Sequence, residues 1–496
     1  MNFKMIRYTL GLILKFEALF LLVPIITAII YGEWRSLLAF AATAAACLLV
    51  GVLSSYSKPQ DMALRARDGF VIVSLSWLVL SLFGAVPFVL SGAIPNYIDA
   101  LFETVSGFST TGASVIDSSV LETLDHAILI WRSFTHWVGG MGVLVFVMAI
   151  LPLSGAQNMH IMRAESPGPD VSKLVPRVRR TALILYILYF ALTLVLFVLL
   201  LVDGAIASDA KNKMNVFEAL CTAFGTAGTG GFGLKSDSMA SYSPYVQILC
   251  TVFMLLFSIN FNSYYLALRF KFREAFNLEV KVFLLIVGVA ISAIAINIFA
   301  TGVEGATTAR EAIRHSAFTV ASLVSTSGFA TLDFNLWPEF SKLILVLIMF
   351  VGACAGSTGG GMKVSRIIIL VKGMTRELGH LIHPKRIKNI TIDKRPVSSE
   401  VVRSVNAYIV TFFIIFAASM LFLAPDGNSN GLLTNFTAVT ACMNNIGPGL
   451  DMVGPYGGYA FFSPLSKIVL IFDMLAGRLE LFPMLILFAP ATWKNK

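Results

Sequence analysis

Charged residues are scarce in this sequence. Asp, Glu, Lys and Arg make up 13% of the 496 residues, about half of the roughly 25% found in soluble globular proteins. Cysteine is scarce as well, and the five cysteines form no CxxC motif, which argues against a disulfide framework or a thiolate metal site. The six histidines include no HExxH motif of the kind that binds zinc. The sequence therefore excludes a soluble enzyme and gives no sign of a catalytic metal centre.

Long apolar runs are abundant instead. Hydrophobic residues make up 57% of the chain, and its mean hydropathy is +0.80. A run of about 20 apolar residues can cross the ~30 Å hydrocarbon core of a bilayer as a helix. Ten such segments occur, at residues 9–31, 36–55, 70–92, 127–151, 181–202, 244–267, 280–300, 341–371, 401–424 and 465–489. We predict an all-α polytopic membrane protein whose first segment is a retained helix and not a cleaved signal peptide.

Four shorter apolar segments lie between the long ones. They cover residues 97–109, 214–226, 311–325 and 432–444, and each is too short to cross a bilayer, which is typical of a re-entrant half-helix. A glycine-containing turn follows each of them, at residues 109–113, 228–232, 325–329 and 444–448. The aligned glycines, Gly112, Gly231, Gly328 and Gly447, are spaced by 119, 97 and 119 residues. This pattern indicates a helix, half-helix, turn, helix unit repeated four times.

The repeat pattern predicts the domain organisation. We expect an N-terminal two-helix segment at 1–62, followed by four helix–pore-helix–helix repeats with pseudo-fourfold symmetry. The predicted repeats cover residues 63–170, 171–275, 276–395 and 396–496.

Basic residues predict the orientation. If the N-terminus is cytoplasmic, 26 of the 37 Lys and Arg residues face the cytoplasm and nine face outwards, as the positive-inside rule requires. Both termini are then cytoplasmic and all four turns enter from outside. The net charge of +9 arises from basic residues in the loops on one side of the membrane, so it does not indicate binding of nucleic acid. The basic stretch at 372–403 suits anionic membrane lipid, and docking of a soluble partner is an alternative.

The four turns suggest an ion filter. Non-helical backbone at membrane depth is tolerated where it is buried in protein or lines a water-filled cavity, and rings of carbonyl oxygens can replace the hydration shell of a monovalent cation. Packing of small residues between helices is the alternative. The residues predicted to bind the cation are Thr110, Thr111, Gly112, Thr229, Gly230, Gly231, Thr326, Ser327, Gly328, Asn445, Ile446 and Gly447.

A glycine run interrupts the eighth long segment. Three consecutive glycines at 359–361, each costing about 1 kcal/mol relative to alanine inside a helix, should unwind residues 342–372 in the middle. We expect the unwound stretch to obstruct the path below the third turn, although a kink without a gating role is an alternative. A nucleotide P-loop does not fit, because Met362 separates Gly361 from Lys363.

Arg478 lies near the middle of the last predicted span, 465–488. A charged side chain at that depth faces the bundle interior or water. It would oppose cation passage electrostatically if it faces the pore, and the alternative is a structural ion pair with Asp473 or Glu480.

The most specific pieces, at residues 444–449, 355–363 and 477–480, resemble the Trk/Ktr/HKT superfamily of potassium transporters, and within it the bacterial Trk-type membrane subunit. The resemblance covers nearly the whole chain and associates Gly112 with potassium and not sodium. It implies potassium uptake across the inner membrane of a bacterium, with no organic cofactor on this chain, a homodimer, and a cytoplasmic nucleotide-binding regulatory subunit. It also implies an intramembrane gate formed by Gly356, Ser357, Thr358, Gly359, Gly360, Gly361, Lys363 and Arg478.

Two other classes of function stay open. One is a sodium- or proton-coupled potassium symporter, for which Asp473 and Glu480 are the plausible carboxylates within a span. The other is an intramembrane enzyme, for which the sequence offers no nucleophile–base pair or metal set.

Overall fold

The computed structural model describes residues 1–59, 66–142, 178–206, 213–385, 389–393, 395–426 and 431–494. The first third contains α1 (Phe3–Phe20), α2 (Leu22–Tyr31), α3 (Trp34–Ser55), α4 (Ala66–Gly84), α5 (Val86–Ser91), α6 (Tyr97–Phe108) and α7 (His126–Gly140). The middle contains α8 (Val178–Ile206), α9 (Val216–Gly228), α10 (Pro244–Phe257), α11 (Phe261–Leu268), α12 (Phe272–Ala275), α13 (Leu278–Thr301), α14 (Ala309–Val324) and α15 (Glu339–Val351). The last third contains α16 (Val364–Ile382), α17 (Ser399–Leu423), α18 (Leu432–Met443), α19 (Pro464–Arg478), α20 (Phe482–Phe488) and α21 (Pro490–Trp493).

Other regular structure is short. The described residues also contain three 3₁₀ helices, at Ser118–Thr123, Phe334–Leu336 and Asp451–Val453. Strands β1 (Thr391–Ile392) and β2 (Arg395–Pro396) pair antiparallel, with Thr391 opposite Pro396 and Ile392 opposite Arg395. The protein is therefore an all-α membrane protein, as the sequence predicts.

The N-terminal segment is a tight helix pair. Helices α1 and α3 cross at Gly11 and Gly51, where a Cβ atom on either glycine would lie 2.9 Å from the carbonyl oxygen of the other. Small residues allow this close approach, which is how helices associate within a bilayer. The pair packs on α4, the first helix of repeat 1, and buries Leu14 and Phe40 in the same apolar core.

Six helical stretches in the described part of the chain are long and apolar enough to cross a membrane. They are Phe3–Tyr31, Trp34–Ser55, Arg67–Ser91, Ala182–Asp203, Leu278–Thr301 and Ser399–Leu423, and a bent pair, Pro244–Phe257 with Phe261–Leu268, adds a seventh. These six comprise the N-terminal pair and the first helix of each repeat. The protein is thus a multi-pass membrane protein.

In repeats 1, 2 and 4 the second helix differs from the prediction of one continuous span, whereas the break predicted in repeat 3 is present. Helix α7 ends at Gly140, and α10 turns by 89° into α11. Helix α15 ends at Val351, and α19 ends at Arg478. Residues beyond 142, which belong to the predicted span 127–151, lie outside the described residues. Hydropathy could not show these breaks, because it records apolarity and not the continuity of backbone hydrogen bonds.

The four half-helices are α6, α9, α14 and α18, called pore helices 1 to 4 below. Their bounds agree closely with the predicted half-helices, and polar side-chain caps fix where the first three begin. Asn215 and Thr308 form capping boxes with Glu218 and Glu311, each of which satisfies two otherwise free N–H groups. Towards their C-terminal ends all four are buried, so their last turns lie inside the protein.

Three apolar cores surround the pore helices. The largest joins the N-terminal segment with repeats 1 and 4, and the other two centre on repeats 3 and 2. The five cysteines, Cys47, Cys221, Cys250, Cys354 and Cys442, are buried and unbridged within these layers, in line with their interpretation as small apolar residues.

Candidate functional site

The turns that follow the pore helices meet in a closed ring. Turn 1 is Thr110–Thr111–Gly112, turn 2 Thr229–Gly230–Gly231, turn 3 Thr326–Ser327–Gly328, and turn 4 Asn445–Ile446–Gly447. A Cβ atom on Gly112 would lie 2.7 Å from the backbone nitrogen of Gly231, and one on Gly447 would lie 2.6 Å from the carbonyl oxygen of Thr111. The remaining close pairs are Gly231 with Ser327 and Gly328 with Ile446. Each turn therefore contacts the next, and the fourth contacts the first.

All four turns have the same backbone geometry. In each, the middle residue donates its N–H to the carbonyl five residues earlier, at 2.8–2.9 Å, and the preceding residue donates to the carbonyl three residues earlier, at 3.0–3.2 Å. This pair of bonds is the Schellman ending of a helix, whose left-handed residue is usually glycine. Here the left-handed residues are Thr110, Thr229, Thr326 and Asn445, with φ of 58°, 54°, 62° and 55°.

A left-handed threonine is unusual, since a β-branched residue is disfavoured at positive φ. Such strain persists only where the surroundings enforce it, and it is concentrated at functional sites. Thr110, Thr229, Thr326 and Asn445 are all 0% exposed. The shared geometry also fixes the register of repeat 2, where Thr229 corresponds to Thr110.

The sequence predicts that the turns use glycine because it reaches positive φ, and this prediction holds at three of the four positions. Gly112, Gly328 and Gly447 have φ of 81°, 81° and 96°, so they occupy the region that glycine enters without a Cβ penalty. Gly231 does not have positive φ, and the prediction was wrong for it. It is glycine because a Cβ atom there would overlap the carbonyl oxygen of Ser327 in turn 3.

Polar contacts join neighbouring repeats around the ring. Asn445 Nδ2 in turn 4 donates to Thr111 Oγ1 in turn 1 at 3.1 Å. The Tyr459 hydroxyl donates to the Gly447 carbonyl at 2.7 Å, and its backbone N–H donates to the Ser114 carbonyl at 2.8 Å. A depression lined by the glycines that end all four turns opens on this side of the ring. Tyr459 was not predicted, because 12 residues separate it from the turn that it supports.

The glycine-rich break lies on the opposite side of the ring. Residues 352–363, called the intramembrane loop below, connect α15 to α16 without helical backbone. A Cβ atom on Gly359 would lie 2.8 Å from the Ser325 carbonyl oxygen, and one on Gly360 would lie 2.5 Å from that of Asn444. Gly360 also donates its N–H to Thr326 Oγ1 at 2.6 Å. The loop therefore packs against the ends of pore helices 3 and 4.

Other residues of the predicted gate set the conformation of this loop through their backbone angles and hydrogen bonds. Gly356 and Gly361 have φ of 72° and 80°, and Lys363 has φ of 76°. Ser357 Oγ donates to the Cys354 carbonyl at 2.6 Å, and the buried Lys363 ammonium donates to the Gly359 carbonyl. The loop is thus an ordered turn, held by its own polar groups.

The breaks in all four second helices meet at the level of this loop. Cys354 donates its N–H to the Ser258 carbonyl at 3.0 Å, and Thr358 donates to the Phe257 carbonyl at 3.3 Å. These bonds tie the loop of repeat 3 to the bend of repeat 2. Arg478 connects repeats 1 and 4 to the same loop.

Arg478 bridges three repeats through backbone carbonyls. Its Nη1 donates to the Thr358 carbonyl at 2.8 Å, and its Nη2 donates to the Gly140 carbonyl at 2.7 Å and also to that of Gly139. Gly139 and Gly477 occupy matching positions, since a Cβ atom on either would overlap the last carbonyl of its own pore helix. Arg478 in repeat 4 therefore corresponds to Gly140 in repeat 1.

The prediction that Arg478 lies in the middle of one span was wrong. It is the last residue of α19, and Glu480 and Leu481 have φ of 60° and 66° before α20 begins. Two successive positive φ values end the helical hydrogen bonds. The alternative for Arg478, an ion pair with Asp473 or Glu480, is not what the structure shows. Glu480 pairs with Arg366, and Asp473 accepts from Ser419 Oγ at 2.8 Å.

Comparisons with known proteins identify the family. The family model described as TrkH, a cation transport protein, matches residues 36–495. The chain belongs to the TrkH family. It is 34% identical to the Trk system potassium uptake protein TrkH of Halomonas elongata and 33% identical to that of Escherichia coli K12, each over 100% of both chains. The crystal structure of the potassium transporter TrkH from Vibrio parahaemolyticus matches with a TM-score of 0.86 at 32% identity, covering 100% of both chains.

One further feature of this TrkH family member escaped the sequence analysis. Arg132, which we counted among the outward-facing basic residues, is 2% exposed inside α7. Its Nε donates to Glu103 Oε1 of pore helix 1 at 2.8 Å. Glu103 also accepts from the Val115 N–H at 2.9 Å and from Ser114 Oγ at 3.0 Å, and the Arg132 guanidinium lies 4.2 Å from the Phe232 ring centroid. This pair fixes the chain leaving turn 1 against both its pore helix and repeat 2.

Loss of one partner of this pair should be costly. Arg132→Ala leaves the Glu103 carboxylate buried and unpaired, so we expect a loss of about 3–5 kcal/mol in stability. The measurement is the thermal unfolding midpoint of the detergent-solubilised protein. Lys271→Ala is the matched control, since Lys271 and Glu274 form an exposed pair with side chains 54% and 57% exposed, a kind worth about 0–1 kcal/mol. Equal midpoints for the two variants would contradict a structural role for the buried pair.

Proposed function

We propose that this protein takes up potassium selectively across the cytoplasmic membrane of a bacterium, through a pore at the axis of the four turns. The ring contact of the turns carries the proposal. The names of its relatives as potassium uptake proteins support it, and so does the likeness to the solved potassium transporter.

Oxygen atoms of the turns would coordinate the ion. Within the described residues no group of three or more His, Cys, Asp or Glu residues could hold a metal ion, whereas the turns offer backbone carbonyls and the hydroxyls of Thr111 and Ser327. The C-terminal ends of the four pore helices adjoin the ring. Each such end carries roughly half a negative charge, so together they stabilise a cation and repel an anion.

We propose that the intramembrane loop and Arg478 form the gate. The loop packs below turns 3 and 4, and Arg478 lies at the same level with three backbone carbonyls around it. A positive charge in a narrow, poorly hydrated passage raises the barrier to another cation. Opening then requires the loop to move and the arginine to release the Thr358 carbonyl.

The wider assignments belong to the same proposal. We propose cytoplasmic N- and C-termini, a homodimer, contact with anionic lipid, and a cytoplasmic nucleotide-binding regulatory subunit. The concentration of basic residues between Lys372 and Arg403 supports a docking surface for that subunit. Three of these, Lys385, Arg386 and Lys388, are the residues whose neutralisation we expect to weaken docking; Lys385 lies within the described residues, and Arg386 and Lys388 lie outside them. The division into a segment at 1–62 and four repeats is retained as the domain hypothesis.

A flux assay in proteoliposomes tests the function. With a potassium gradient as the sole gradient, we expect uptake of potassium in preference to sodium, because the ring alone supplies the coordination. Adding the regulatory subunit with its nucleotide should change the rate. A requirement for an imposed sodium or proton gradient would favour the coupled symporter instead, and no flux under any gradient would contradict both.

A further inference from the structure

Both ends of the intramembrane loop bind one carboxylate. Glu279 Oε1 accepts from the Ala355 N–H at 2.7 Å and from the Ser365 N–H at 3.2 Å. Ala355 lies near the start of the loop, and Ser365 is the second residue of α16, directly after its end. Glu279 itself belongs to α13, the first helix of repeat 3, and is 9% exposed. A buried carboxylate from a separate helix therefore holds the loop at entry and exit.

Within the described part of the chain, the residue that precedes α16 supplies no side-chain cap at the exit of the loop. Helix α16 begins after Lys363, whose φ is 76° and whose side chain makes no capping bond. The first N–H groups of a helix need acceptors, and a negative charge is favoured at that end. Glu279, on α13, supplies both an acceptor and a negative charge to the start of α16. Hydrogen bonds to an ionised acceptor are shorter and stronger than neutral ones.

The N-terminal end of α13 is held by the strand pair that follows α16. Leu278 donates its N–H to Asp393 Oδ1 at 3.0 Å, in the turn between β1 and β2. Lys372 Nζ of α16 donates to the Thr391 carbonyl of β1 at 2.6 Å. The strand pair thus contacts both α13 and α16. The position of Glu279 relative to α16 is set by this arrangement.

We infer that Glu279 is the positioning residue that keeps the intramembrane loop under turns 3 and 4, and that loss of its two hydrogen bonds frees the loop. The inference rests on the proposed gating role of the loop for its effect on flux. The holding contact itself does not depend on that role. Within the described residues the hydrogen bonds of Glu279 go to Ala355 and Ser365 and not to the four turns, so its action on ion passage is through the loop.

Cys354 provides a reporter inside the loop. It is 0% exposed and directly precedes Ala355, the residue that Glu279 holds. The other cysteines, Cys47, Cys221, Cys250 and Cys442, are also buried and lie outside the loop. In the full-length protein in proteoliposomes, modification by a small methanethiosulfonate can be measured at each cysteine by mass spectrometry. Those four sites act as internal controls for general unfolding.

We expect Glu279→Ala to raise the labelling rate of Cys354 by roughly tenfold or more, in line with the strength of hydrogen bonds to charged groups, while the other four cysteines keep their rates. Glu279→Gln, which keeps a neutral acceptor oxygen, should raise the rate less. Potassium flux should rise with unchanged selectivity over sodium. Glu274→Gln is the control, because Glu274 carries an exposed side chain on α12 near Glu279.

Three results would be decisive. An unchanged Cys354 rate overturns the inference, and so does an equal rise at all five cysteines, which would mean general unfolding. A rise confined to Cys354 without any change in flux supports Glu279 as the holding residue and contradicts the loop as the gate. Failure of the inference and failure of the proposed function are therefore distinguishable.

Discussion

Gly328→Ser should lower potassium selectivity over sodium by roughly tenfold or more, which corresponds to about 1.4 kcal/mol of differential binding. Gly328 has φ of 81°, and a Cβ atom there would overlap the Ile446 carbonyl oxygen of turn 4. The added atom must push two neighbouring turns apart, so the spacing of the coordinating oxygens changes. The measurement is the ratio of potassium to sodium flux in proteoliposomes.

The same substitution at the other three ring glycines should act alike, although for different reasons. At Gly112 and Gly447 positive φ and a close neighbour act together, whereas at Gly231 only the overlap with Ser327 opposes a side chain. Gly288→Ser in α13 is the control, because no atom lies within 4 Å of a Cβ there. Wild-type selectivity in all four ring variants would show that the filter assignment is wrong.

Arg478→Ala should raise potassium flux and leave selectivity unchanged. The substitution removes the positive charge and the hydrogen bonds to the Thr358 and Gly140 carbonyls. Deleting part of residues 356–361 should do the same, because it shortens the segment that packs below turns 3 and 4. Flux of each variant in proteoliposomes is the measurement, and Arg376→Ala, on the exposed part of α16, is the control.

A double-mutant cycle tests whether the two elements form one constriction. Because Arg478 contacts the loop directly, the combined effect should be less than additive, with a coupling of about 0.5–3 kcal/mol. Arg478→Lys should give intermediate flux, since lysine retains the charge and loses the planar fork of donors. Fully additive effects, or reduced flux from a stably folded loop deletion, would contradict a shared gate.

The pore helices were predictable from the sequence, and the second helices were not. A half-helix is defined by its length and its caps, and Asn215 and Thr308 mark those starts locally. The break at 352–363 was predicted because consecutive glycines weaken a helix. The ending at Gly140 lies in a stretch with glycines at 139, 140 and 142, which the same reasoning could have flagged. Those at Phe257 and Arg478 follow from contacts with other repeats, such as those of Arg478 with the loop.

The residues of the turns were named from the sequence, but which of them have strained backbone was not predicted. Turn chemistry predicts positive φ at glycine. In the Schellman geometry of these turns, the first residue with positive φ is instead Thr110, Thr229, Thr326 or Asn445. Only burial in a ring of four helix ends enforces that choice. The Glu103–Arg132 pair was missed for a related reason. Its members are 29 residues apart. Arg132 is the single Asp, Glu, Lys or Arg residue of the apolar segment 127–151, a pattern that could have suggested a buried carboxylate partner.

The correspondence between Arg478 and Gly140 has a consequence for how such a pore can be tuned. A pore assembled from four identical chains presents every side chain fourfold, so one codon change at this level would place four cationic groups around the axis. Here repeat 4 carries the guanidinium, repeat 1 has a glycine at the corresponding position, and repeat 3 supplies the loop. A single elementary charge can therefore be set against the ion without closing the passage electrostatically. Each quadrant is free to diverge by itself, and the barrier can be adjusted in increments that a symmetric tetramer cannot reach.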